Sequence, residues 1–209
     1  MPSLNDWNEL WAAWDIVTKQ MLANDALLDK PIKLRNACIF YLGHVPAFID
    51  LHLSKATGEP ATEPASFHVV FERGIDPDVD DPSKCNSHSE IPNEWPSIDE
   101  LQKYQEEVQT RMNKIYADGV SNLSRQVARS LWLSFEHSAI HLETFLYMVL
   151  QSEKTLPPPD VQRPDFRDAA IGAFSGRVPN QWFDIPEQEF LVGMDDPEDG
   201  GTGTTYFGW

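Results

Sequence analysis

The sequence predicts a mainly α fold: a four-helix bundle with a long crossover loop between its second and third helices, followed by the opening of a strand-containing second domain. Three observations carry this expectation. Three stretches place apolar residues at helical spacing, and another, second along the chain, is apolar almost throughout, as a buried helix is. A Pro-rich, acidic stretch over 57–96 separates the second from the third. After residue 182 the apolar runs become short and turn-bounded, as strands are.

The first helix is expected from Leu4 to about Leu22, with Trp7, Leu10, Trp11, Trp14, Val17 and Met21 on its apolar stripe and Ser3 or Asp6 as its cap. The Trp stripe is read as core packing. Beyond Pro31, Leu34 to about Lys55 is apolar almost throughout, which predicts a buried second helix that Pro46 should kink or restart. Pro60, Pro64, Pro77, Pro82, Pro92 and Pro96 then punctuate the crossover. Ser97, with Glu100 three residues on, has the form of a capping box, and opens a third helix through Leu101, Tyr104, Val108 and Met112 to Tyr116, ended by Gly119. A fourth runs from about Asn122 to Gln151. Pro157, Pro158 and Pro159 stop it, and the linker to about Gln181 has room for a short helix near Asp168 to Phe174. Trp182–Pro186 and Phe190–Met194 read as strands, with a Gly/Asp-rich turn leading to Tyr206–Trp209. These runs are too few to bury a core, so the chain is expected to stop inside its second domain.

Of the 209 residues, 41% are hydrophobic and seven are Trp, as in a folded globular chain. The net charge of −17 argues against nucleic acid or an anionic membrane as partner and leaves small molecules as the simpler expectation. No apolar run approaches the roughly 20 residues of a membrane span, and the first residues do not form a signal peptide. A soluble, cytoplasmic protein is expected. Cys38 and Cys85 cannot form a disulfide framework for a chain of this size.

Six histidines offer the most pointed chemistry. His137 and His141 lie four apart on the fourth helix, so both rings reach one face and could share an ion. Taken alone, such a pair is weak evidence. A third ligand would come from a facing helix. His44 sits in the apolar second helix, where a core histidine bonded to a carbonyl is the simpler reading, and His52 competes with it. Asp76, Asp78 and Asp80 alternate like a calcium loop but lack its Gly and its closing Glu. Cys85 and His88 have zinc-like spacing without a second pair. Glu136 and Glu143 could orient imidazole N–H groups, though solvated helix carboxylates are more common.

Phe40-Tyr41-Leu42-Gly43-His44-Val45-Pro46-Ala47-Phe48 and Phe135-Glu136-His137-Ser138-Ala139-Ile140-His141-Leu142-Glu143 resemble the paired histidine motifs of the ergothioneine and ovothiol sulfoxide synthases. Asp6-Trp7-Asn8-Glu9-Leu10-Trp11 and Phe71-Glu72-Arg73-Gly74-Ile75-Asp76 look most like the fungal branch. The resemblance implies a DinB-like iron-binding bundle over 1–155, a Pro-rich linker over 156–181, and over 182–209 the truncated start of a lectin-like α+β domain related to formylglycine-generating enzymes and sulfatase-modifying factors. It also implies a non-haem Fe(2+) ion held by His44, His137 and His141. The implied activity is dioxygen-dependent coupling of hercynine to cysteine or γ-glutamylcysteine, giving a sulfoxide.

In this family the second domain carries much of the substrate pocket and a tyrosine of the active site. The catalytic residues are therefore expected mostly beyond Trp209, and iron affinity is expected of this chain before turnover. Where some bacterial members have glutamine before the last histidine, this chain has Ile140. Arg73 is the nearest counterpart of the bacterial arginines that hold the thiol's carboxylate, with a surface or ion-pair role the simpler reading. Alternative readings are an isolated or vestigial DinB-like module that binds metal without catalysis, and a DinB-like metal-dependent thiol transferase.

Overall fold

The computed structural model describes residues 1–33, 35–72, 76–77, 85–86, 92, 94–119, 123–162, 164–190 and 192. Helix α1 (Leu4–Asp15) opens on a capping box. The Ser3 hydroxyl accepts from the Asp6 amide at 3.2 Å, and the Asp6 carboxylate accepts from the Ser3 amide at 2.7 Å. Ser3 is thus the cap and Asp6 its reciprocal partner. The helix then widens into a π-type segment, Ile16–Met21. Trp7, Trp14, Val17 and Met21 are buried, as their spacing predicts. The indole N–H of Trp7 donates to the Tyr116 hydroxyl at 3.0 Å, which donates in turn to the Pro2 carbonyl at 2.8 Å.

Helix α2 (Cys38–Thr57) begins four residues later than its composition suggests. Its N-cap, Ala37, has no side chain that can cap. The Cys38 and Ile39 amides instead donate to the carbonyls of Asp29 and Leu27, at 3.1 and 2.8 Å. Every residue from Cys38 to Ala47 is buried, which marks a helix enclosed on all sides. It continues through Pro46, which starts no new element, and ends at Gly58 in the left-handed conformation (φ 72°).

Among its described residues the crossover contains a short helical turn, α3 (Phe67–Val70), and an antiparallel ladder pairing β1 (Asp76–Pro77) with β2 (Cys85–Asn86). Helix α4 (Ile98–Ala117) opens on the Ser97–Glu100 capping box and buries Leu101, Tyr104, Val108 and Met112. Gly119 (φ 92°) turns the chain. Helix α5 (Arg125–Val149) is capped by Ser124, whose hydroxyl accepts from the Val127 amide. Helix α2 packs against both α4 and α5, and α1 packs against α5. The central position of α2 explains its uniform burial.

Helix α6 (Phe166–Ser175) forms where a short helix was expected, with no side chain buried. Residues 182–190 form no strand, contrary to the expectation for Trp182–Pro186. Trp182, Phe183, Ile185 and Phe190 are all exposed, and a strand without a ladder partner leaves its backbone groups unpaired. The rest of the expected strand region, including Leu191, Gly193, Met194 and Tyr206–Trp209, lies outside the described residues. So do Arg73, Asp78, Asp80, His88 and Asn122. Among the described residues no helix is long and apolar enough to cross a membrane.

Candidate metal centre

The packing of α2 on α5 decides which histidines meet. His44 projects from the buried part of α2, and His137 and His141 project from one face of α5, a single turn apart. The Nε2 atom of His44 lies 3.2 Å from Nε2 of His137 and 3.1 Å from Nε2 of His141. One ligand atom from each of the three lies within 4.8 Å of the others. His44 is 3% exposed, whereas His137 and His141 are half-buried, so the cluster sits at the wall of the bundle.

The tautomer of His44 follows from its second partner. Its Nδ1 lies 2.8 Å from the carbonyl oxygen of Phe71, which can only accept, so Nδ1 carries the proton and donates. Nε2 is left with a lone pair facing the other two rings. The two readings of His44 from the sequence are therefore compatible: one nitrogen bonds a carbonyl and the other joins the cluster. Burial holds the His44 pKa below the ordinary histidine value, against the opposing effect of the Phe71 bond. Burial, then the neighbouring His141, His44 and His52, drives His137 far down. Burial, then His44 and Arg35, pushes His141 down to about 3. All three shifts favour the neutral ring, the form that offers a lone pair to a cation.

Two of the three spacings fit an ion. Imidazole nitrogens about 2.1 Å from one metal stand about 3.0 Å apart at octahedral corners and about 3.4 Å apart at tetrahedral ones. The two closest separations fall between these values. Without an ion, Nε2 of His44 can accept only one N–H, although two ring nitrogens press on it; a cation would use all three lone pairs.

Aromatic rings wall the cluster. Phe48 stacks on His137 with centroids 3.5 Å apart and planes 6° apart, Phe40 stacks on His44 at 5.0 Å, and Tyr41 lies 5.6 Å from His141. These contacts restrict the rings' rotamers. The Nδ1 atoms of His137 and His141 are buried without a hydrogen-bond partner among the described residues. Neither glutamate considered from the sequence serves them. The Glu136 carboxylate accepts from the Trp132 indole at 2.7 Å, and Glu143 is exposed. His52 lies against Phe48, outside the three-histidine group. Ile140 is 55% exposed and points away from the core.

Two positions that sequence reasoning passed over shape the site. A Cβ added at Gly43 would stand 2.3–2.5 Å from the ring of Phe71, so only glycine lets that ring lie against α2. Phe71, fully buried, then presents its carbonyl to His44, the residue after Gly43. A glycine inside an apolar helix was the available signal of close approach. Cys38 is buried, and burial followed by the Asp29 charge pushes its thiol up to about 11, which makes it a poor nucleophile or ligand.

No family model matches the chain. It is similar to two curated proteins, both called Ergothioneine biosynthesis protein 1. The one from Neurospora crassa is 56% identical over 209 residues, covering 100% of this chain and 24% of that protein. The one from Schizosaccharomyces pombe is 37% identical over 204 residues, covering 92% of this chain and 25% of that protein. The chain thus spans about a quarter of the length of the curated relatives it matches.

Proposed function

We propose that this chain is the metal-binding part of a non-haem iron(II), dioxygen-dependent sulfoxide synthase that couples hercynine to cysteine or γ-glutamylcysteine in ergothioneine biosynthesis. The observation that carries the proposal is the convergence of three neutral imidazoles from α2 and α5 on one point, in a chain similar throughout to part of two proteins named for ergothioneine biosynthesis.

In the proposed reaction a carbon–sulfur bond forms between the hercynine ring and the thiol. The ring C–H and the S–H bonds break. One atom of dioxygen ends on sulfur, and the other leaves with both hydrogens as water. Iron bound by His44, His137 and His141 would supply the redox chemistry toward dioxygen and a position for the thiol sulfur. The chain's own residues hold the geometry. Phe71 fixes the His44 tautomer, Phe48 and Phe40 fix ring planes, and burial keeps the imidazoles unprotonated.

The proposal extends to the domain plan, with a DinB-like bundle over 1–155, a linker over 156–181, and the opening of a formylglycine-generating-enzyme-like domain over 182–209. The exposed Trp182, Phe183, Ile185 and Phe190 support the last part, since such apolar side chains are normally covered. It also covers a cytoplasmic location and small-molecule partners. The net charge of −17 supports the exclusion of nucleic acid and anionic membranes. The direct test supplies hercynine, a thiol and ferrous iron to a protein that contains this chain together with the remaining length of its relatives. Sulfoxide should form, and His44→Ala should abolish it. Equal turnover in that variant would overturn the assignment.

A further inference from the structure

Away from the histidine cluster, α2 carries a second buried polar group, Asp50, which is fully buried. Its Oδ1 accepts from the Thr62 hydroxyl at 2.6 Å and from Nη1 of Arg111 at 2.8 Å. Its Oδ2 accepts from the Thr62 amide at 2.9 Å, from Nε2 of His68 at 2.6 Å, and more weakly from the Tyr104 hydroxyl at 3.4 Å. Arg111 and Tyr104 belong to α4, whereas Thr62 and His68 belong to the crossover. One carboxylate therefore ties the crossover down at two points.

The spacing of these contacts connects them to His44. Asp50 lies seven residues after Gly43, two helical turns along the same face of α2. On α3 and its C-cap, His68 and Phe71 lie three residues apart, on one face of that turn. The turn thus docks on α2 twice: the Phe71 ring sits over Gly43, and the His68 imidazole bonds Asp50. Between these anchors the Phe71 amide closes α3 by bonding the Phe67 carbonyl at 3.0 Å, and the Phe71 carbonyl receives the proton of His44 Nδ1. Rotating α3 about the Phe71 contact would swing that carbonyl away from the imidazole, and the His68–Asp50 bond opposes the rotation together with the packing of buried Phe67 on Tyr104.

We propose that Asp50 and His68 are positioning residues which clasp α3 to α2 so that the Phe71 carbonyl holds His44 as the Nδ1–H tautomer with Nε2 free. The clasp itself does not depend on a metal, but its consequence for metal affinity rests on the reading of the three histidines as ligands. The clasp adds to the packing that seats the Phe71 ring over Gly43, and a proton on Nε2 of His44 blocks its lone pair.

The test reads the tautomer directly. In the metal-free chain labelled with 15N-histidine, long-range nitrogen–proton correlation spectra distinguish Nδ1–H from Nε2–H, and His44→Ala assigns the His44 signals. The wild type should show His44 as Nδ1–H. His68→Leu, which removes the donor to Asp50, should show both tautomers, and His68→Gln, which keeps an N–H donor, should restore one. Thr62→Val, which deletes one bond to the same carboxylate, should shift the population less in the same direction and serves if His68→Leu does not fold. In parallel, cobalt(II) titration read by its visible absorption should show about tenfold weaker binding in His68→Leu and near-normal binding in His68→Gln, within the range known for groups that orient ligands. Tyr116→Phe, which loses bonds to Trp7 and Pro2 far from α3, controls for general destabilisation and should leave tautomer and affinity unchanged. A single Nδ1–H tautomer in His68→Leu would overturn the proposal, as would equal effects of His68→Leu and His68→Gln. Failure of the wild type to bind cobalt would contradict the metal reading alone, and the tautomer spectra would still decide the clasp.

Discussion

Replacing Gly43 by alanine adds one methyl group where the Phe71 ring already stands, with Cζ, Cε1 and Cε2 at 2.3–2.5 Å from the new Cβ. Carbon–carbon contacts settle near 3.5–4.0 Å, so the ring must move by about 1.2 Å or more. It has little room, because Phe71 is fully buried among Phe67, Phe40 and Trp95, with ring centroids 5.2, 6.0 and 6.1 Å away. Overpacking of this kind costs about 1–3 kcal/mol. The better helix propensity of alanine returns up to about 1 kcal/mol. The net loss lies between about 0 and 3 kcal/mol, and its midpoint of about 1.5 kcal/mol lowers Tm by about 3–6 °C for a chain of this size. Displacing the Phe71 carbonyl from His44 should also weaken metal binding by about tenfold. Thermal unfolding followed by circular dichroism reads the first effect, and metal titration reads the second. Phe71→Leu keeps the carbonyl but shortens the side chain, so the double variant Gly43→Ala/Phe71→Leu should lose less than the sum of its single variants. Wild-type affinity in Gly43→Ala, or strict additivity in the double variant, would show that Phe71 does not press on this position.

Asp50→Asn should lower stability by about 3 kcal/mol, because it removes the shorter ion pair of the half-buried Arg111 and leaves it only the exposed Glu59 carboxylate at 3.4 Å; chemical denaturation measures it. Burial pushes the Asp50 carboxyl up, but the bonds from Thr62, then from Arg111 and His68, outweigh burial and hold it below the usual carboxylate value. A depressed folded pKa means that this stabilisation is complete above the unfolded value, about 3.9, and is lost as pH falls through the folded value. The stability gap between wild type and Asp50→Asn should therefore narrow below about pH 4, and a gap that stays constant in acid would contradict the assignment. Ser97→Ala removes the cap of α4 and should cost about 1 kcal/mol with no change in metal affinity. His52→Ala should leave metal stoichiometry unchanged, since His52 lies outside the cluster; reduced binding would restore it as a candidate ligand.

What the sequence made legible was local. The Ser97–Glu100 box and the Leu101, Tyr104, Val108 and Met112 stripe were readable because capping and helical period act within a few residues. The pairing of His137 with His141 was readable for the same reason. His44 was ambiguous because nothing within its own helix shows which elements face it. Its role depends on Phe71, 27 residues away in the chain. The start of α2 was misplaced because its amides are satisfied by distant carbonyls of Leu27 and Asp29 in place of a side-chain cap. Asp50 gave no sign of its importance, since a lone acid in an apolar helix does not reveal whether Arg111 and His68 will reach it. The short, turn-bounded apolar runs near Trp182 misled because such a run forms a strand only where a partner completes the ladder.

The proposed chemistry depends on His44, His137 and His141 forming one site for one ion. Anaerobic loading of the 209-residue chain with ferrous iron, followed by removal of free metal and determination of iron per chain, tests it most directly. One iron per wild-type chain is expected, with near-complete loss in each of His44→Ala, His137→Ala and His141→Ala and helical circular dichroism retained. Wild-type stoichiometry in any one of these three variants would contradict it.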